Sequence, residues 1–129
     1  HKVDGSGCSY KGFSTSVIYN FIVPKRDGAS ALARATAKNW EAFVAYLVKH
    51  EEGHRDMWRQ CIADYDRTAL TLKAPDCKLL DVQREDMFTA IKRRCIAQDE
   101  AYDVIFRKEV VNHPFMREAL GKPANAVKD

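Results

Sequence analysis

Between Ser30 and Lys73 apolar side chains recur every three or four positions with no proline to interrupt them, a pattern that suits a helix and not a strand. Inside this run lies His50-Glu51-Glu52-Gly53-His54. At about 100° per residue, Phe43, Tyr46, Leu47, His54, Met57, Cys61, Tyr65, Thr68 and Leu72 fall within roughly 60° of His50. Both histidines therefore belong to the stripe predicted to be buried, while Lys49, Glu52, Arg55, Asp56 and Arg59 supply the solvated side.

Two imidazoles on an apolar face need polar partners. They can bond to other core groups, or they can share one cation. The H-E-x-x-H spacing points to the cation. Residues four apart stack on one helical face, neutral imidazole suits zinc, and a single rigid turn presets half of a tetrahedral shell. Glu51 projects about 100° from His50, beside the ion and not onto it, where it can take a proton from water activated there.

A second helix is expected from about Asp81 to about Val111, with Phe88, Ile91, Cys95, Tyr102, Phe106 and Val110 on one face. Ala74-Pro75-Asp76 separates it from the first, because proline disfavours helix in the residue before it. Asn112-His113-Pro114 closes it, Met116 to Leu120 adds a further turn, and Gly121 to Asp129 reads as a frayed tail. Two long helices with a brief connection lie antiparallel. With the fold-back near Lys78, residues whose numbers sum to about 156 sit level, to within about one turn. Cys61 then faces Cys95, which leaves Cys8 for Cys77. Gly53 comes level with Asp103, and Met57 with Asp99.

A catalytic zinc usually takes a third protein ligand and keeps one open position. Asp103 and Asp99 are candidates by height; His113 is the more familiar ligand type but requires the chain to bend back. Tyr102 or His113 can donate to a developing oxyanion, although Tyr102 also shares the apolar face and fits a core aromatic role. Trp40 and Trp58 read as packing residues.

Upstream, Ser16-Val17-Ile18-Tyr19-Asn20-Phe21-Ile22-Val23 is the clearest strand, apolar on both sides and so expected to be covered on both, within a strand region of about residues 8–24. Pro24 ends it, Lys25-Arg26-Asp27-Gly28 turns, and Ser30 offers a helix N-cap. His1 to Gly7 read as a loose entry.

A chain of 129 residues implies one domain, 1–129. The net charge of +3 is too mild to imply nucleic acid, and Lys92-Arg93-Arg94 reads as the wet side of a helix. No apolar run approaches bilayer length, and no charged-then-apolar leader opens the chain, as expected after signal removal or trimming. Four cysteines without a C-x-x-C pair suggest disulfides and an oxidising compartment, with buried free thiols the alternative.

With these residues placed, the chain resembles DUF922, a family of bacterial predicted secreted zinc-dependent proteases. The likeness runs over Cys8, Val23-Pro24, Asn39-Trp40, Leu47-Val48-Lys49-His50-Glu51-Glu52-Gly53-His54, Cys77 with Leu79-Leu80, and Gln98 to Asp103. Tyr102-Asp103 match the start of a Y-D-x-x-T-x-H-G pattern, whereas Phe106 and Lys108 stand where it carries threonine and histidine. The resemblance implies a secreted or periplasmic metallopeptidase acting on peptides or proteins. The combined expectation is an α+β, zincin-like domain with the first helix paired antiparallel to the second and packed on a small strand region. It holds Zn2+ through His50 and His54 with Asp103 or His113, and Glu51 and Tyr102 act on the substrate. The rival is a disulfide-held binding or scaffold protein that keeps a degenerate metal site and cleaves nothing.

Overall fold

The first helical run forms α1, Arg34–Ala69, in a computed structural model that describes residues 1–27 and 32–121. Its expected cap, Ser30, lies outside the described residues. The helix ends before Lys73 because Pro75 pushes Ala74 into extended backbone, where Lys73–Ala74 becomes a strand. The second helix, α2, spans Cys77–Val110 and starts earlier than periodicity alone suggested. Asp76 is the reason: its carboxylate accepts a hydrogen bond from the Leu79 amide at 2.8 Å, as a capping side chain does. A short α3, Pro114–Ala119, follows, with Pro114 in its first turn and His113 Nδ1 accepting from the Phe115 amide at 3.2 Å.

A small N-terminal strand region is present as expected, but of residues 8–24 only the start, Cys8 and Ser9, lies in a strand. The loose entry is a hairpin, β1 (Lys2–Asp4) and β2 (Gly7–Ser9), and β3 (Lys73–Ala74) pairs antiparallel with β2. Asp4 accepts from both the amide and the hydroxyl of Ser6, which tightens the Gly5-Ser6 loop. Gly7 closes that loop at φ +115°, with the Ala74 carbonyl occupying the space a side chain would need. The segment Ser16–Val23 is not a strand, and the expectation that it is covered on both faces is overturned: Ile18 and Ile22 are 87% and 96% exposed. Valine, isoleucine and phenylalanine fit a pleated surface only when a neighbouring backbone supplies the ladder, and none among the described residues pairs here.

Contacts gather the described residues into two units, and both long helices contribute a segment to each. In the unit of His1–Tyr19 and Arg55–Glu100, Cys8, Ala74 and Leu80 form a small core against Tyr10, Leu72 and Cys77. Both expected bridges are present there, Cys8–Cys77 and Cys61–Cys95. Tyr65 packs against Phe13 and Phe88, while Arg84 donates to the hydroxyls of Tyr10 and Tyr65. Thr15 is tied to Asp66 through both its amide and its hydroxyl.

The unit of Asn20–His54 and Ala101–Asp129 is built on rings. Phe115 packs against Trp40 and Phe43, His113 against Phe43 and Tyr46, and Tyr46 against Phe106. Thr36 and Asn39 donate to Glu118 and tether α3 to α1. In each unit the α1 and α2 segments run antiparallel on the expected register, through Cys61–Cys95 in the first and Tyr46–Phe106 in the second. No helix among the described residues is long and apolar enough to cross a membrane.

The Cys61–Cys95 bridge closes a sequence separation of 34 residues, and its removal releases about 4 kcal/mol of denatured-state restraint. The Cys61→Ala/Cys95→Ala variant should melt about 15 °C lower in a thermal scan. An unchanged midpoint would show that the helix pair holds without the crosslink.

Candidate metal centre

His50 and His54 occupy successive turns of α1 and are 8% and 6% exposed, on the buried stripe as their spacing requires. Asp103, on α2, meets them. Its Oδ1 lies 3.0 Å from His50 Nε2 and 2.7 Å from His54 Nε2, and the two Nε2 atoms are 3.0 Å apart. Three donor atoms thus converge on one point, and these residues form a group able to hold a metal ion.

Tetrahedral zinc with bonds of about 2.0–2.1 Å places its ligand atoms about 3.3 Å apart, so this triangle is a slightly contracted face of such a shell. The donor chemistry fits. Neutral imidazole nitrogens and a carboxylate oxygen all carry lone pairs, and lone pairs this close require protons or a cation between them. Burial alone would push the Asp103 carboxyl up; hydrogen bonds and charge from His54 and His50 outweigh it and hold the carboxyl below its ordinary range. The Asp103 side chain is 42% exposed, so the cluster is open to solvent on the carboxylate side and closed around the rings.

The imidazole of His50 is fixed by aromatic stacking. Phe106 lies parallel to it at 3.7 Å between centroids and Tyr102 at 4.6 Å, while Tyr102 meets His54 edge-on. The Tyr102 hydroxyl donates to the His50 carbonyl at 3.3 Å. Burial, with the charges of Glu51, Asp103 and Glu109, raises the Tyr102 phenol above its ordinary value. It therefore stays protonated, and a hydrogen-bond donor, at neutral pH. Glu51 is half-buried and near enough for its charge to act on that phenol.

The other two ligand candidates are placed elsewhere. His113 caps α3 among Phe43 and Tyr46, with burial lowering its pKa, and it is outside the His50, His54 and Asp103 group. Asp99 belongs to the other unit, where it accepts from Trp58 Nε1 at 3.2 Å; Trp58 is thus a donor as well as a packing residue.

Two contributors escaped the sequence reading. Phe106 read as an ordinary core position, and nothing local marked it as the ring that would stack on His50. Gly53 did carry a signal, since glycine inside a helix costs about 1 kcal/mol relative to alanine and calls for a reason. Here the reason is close approach: a β-carbon at Gly53 would lie 2.8 Å from Cζ of Tyr102 and closer still to its hydroxyl.

Compared with known proteins, residues 1–108 match the family described as "Bacterial protein of unknown function (DUF922)". No curated protein and no solved structure matches.

Gly53→Ala should destabilise the protein by about 1–3 kcal/mol despite the better helix propensity of alanine. In a Tyr102→Ala background the same change should become neutral or stabilising. A double-mutant cycle of chemical denaturation reads the difference, and equal effects in both backgrounds would show that the phenol does not need the space.

Proposed function

The chain belongs to the DUF922 family, and we propose that it is a zinc-dependent peptidase of zincin-like type, secreted or periplasmic, acting on peptide or protein substrates. The observation that carries this reading is the convergence of His50 Nε2, His54 Nε2 and Asp103 Oδ1 within 3.0 Å of one another. It has three further supports. Glu51 follows the first histidine in the H-E-x-x-H arrangement, the cluster is open on the Asp103 side, and two disulfides suit an oxidising compartment.

His50, His54 and Asp103 would hold the ion. When bound, zinc supplies Lewis acidity that acidifies a water molecule and polarises a peptide carbonyl. Glu51 would act as the general base, taking a proton from the attacking water and giving it to the leaving amine. Tyr102 donates its hydroxyl to the oxyanion, exchanging the weak bond to the His50 carbonyl for a charged acceptor. Phe106 and Tyr102 keep the His50 ring from rotating away.

Native protein should contain one zinc per chain by elemental analysis, and His54→Ala should lose it. Glu51→Gln should keep the zinc and lose at least a hundredfold in hydrolysis of a mixed peptide substrate, the range expected for a general base. Tyr102→Phe should lower kcat with little change in KM. Zinc bound without any Glu51-dependent cleavage would leave a disulfide-held metal-binding protein in place of the peptidase.

A further inference from the structure

A cavity of about 220 Å³ adjoins the metal cluster, sharing His50 with it. Tyr46 and Lys49 line it from α1, and Tyr102, Ile105, Phe106 and Glu109 from α2, so the whole cavity lies within one unit of the chain. Its framework is held by stacked rings in series: Tyr46 on Phe106 at 5.5 Å, Phe106 on His50 at 3.7 Å, and His50 on Tyr102 at 4.6 Å. Such a stack is preorganised, and a ligand entering beside it loses little to rearrangement of the protein.

We propose that this cavity receives one aromatic or branched apolar side chain of a bound peptide, next to the bond presented to the metal cluster; the position beside that bond rests on the peptidase reading, the class of side chain on the cavity. Size, lining and position each point this way. A cavity of about 150 Å³ lined by apolar groups already accepts benzene, so this one has room for a phenyl or isobutyl group. Its lining is mostly apolar and includes Ile105, which is 56% exposed. A solitary exposed isoleucine is ordinary, but this one borders an apolar cavity that contains a candidate ligand to the ion. The two charges at the cavity, Lys49 and Glu109, are exposed and of opposite sign. They provide no net charge to compensate a buried ionic side chain, whereas they can bond to the carbonyl and amide groups of a peptide backbone. An acidic or basic side chain would lose hydration on entering, so a neutral apolar side chain fits this lining better.

Two measurements test the proposal, one of them independent of turnover. N-acetyl-phenylalaninamide and N-acetyl-glutamate amide are titrated separately into the native protein while the backbone amide resonances of Lys49, Ile105 and Glu109 are followed. The phenylalanine probe should give saturating shifts at these positions, with the glutamate probe at least tenfold weaker. Ile105→Glu, at an exposed position, should weaken the phenylalanine probe at least fivefold while leaving the zinc content unchanged. Equal binding of the two probes, or no saturation by either, would overturn the proposal. In the second measurement, cleavage sites in a mixed peptide library should cluster beside phenylalanine, tyrosine or leucine, and Ile105→Glu should reduce that clustering. A flat profile in the wild type would also overturn it. Should the library remain uncut while phenylalaninamide binds at these amides, the cavity assignment stands and only the peptidase reading falls.

Discussion

Two imidazoles and a carboxylate held within 3.0 Å of one another repel unless positive charge lies among them, and the unit containing α3 is arranged around that electrostatic demand. A divalent cation could accept all three lone pairs at once, and these residues form a group able to hold one. The same proximity explains why the surrounding residues are rings and not aliphatic chains. Stacking by Phe106 and Tyr102 holds the His50 imidazole in plane without competing for its nitrogen. Gly53 belongs to the same arrangement, because only a residue without a side chain lets the Tyr102 phenol approach this turn of α1.

The other unit solves a different problem. Its fully buried side chains are few, with Leu80 and Cys8 the largest, and its sheet has strands of two or three residues. A core this small buries little apolar surface, and short strands are marginal alone. Covalent links compensate: Cys8–Cys77 fastens β2 to the start of α2, and Cys61–Cys95 pins α1 to α2. Polar links add to this where apolar contact is thin, with Arg84 joining Tyr10 to Tyr65 and Asp66 holding Thr15. The chain therefore combines a crosslinked frame with an aromatic-walled site, each served by a different stretch of the same two helices.

The reach of local sequence rules differs between these parts for physical reasons. Helical periodicity is a property of one segment, so the paired positions of His50 and His54 and the buried stripe through Cys61 and Tyr65 could be read without knowing any neighbour. The antiparallel register was nearly as accessible, because a rigid rod of constant rise converts residue numbers into height; it brought Asp103 toward the histidines and paired all four cysteines correctly. Turn chemistry was present but overlooked: Asp4-Gly5 and Asp76 mark a hairpin and a helix start, and both lie in stretches with too few apolar residues to draw attention.

Tertiary structure alone decided the rest. Whether Ser16–Val23 becomes a strand depends on a backbone partner that its own side chains cannot supply, and no strand among the described residues pairs with it. Whether Asp99, Asp103 or His113 meets the imidazoles depends on rotation about each helix axis and on where α3 turns back, angles that counting along the chain does not resolve. The cavity beside His50 is likewise a product of two helices and belongs to neither sequence segment separately. What the residues determine unaided is periodicity and spacing, which act within a segment; which donor atoms share one point in space is set by packing between segments.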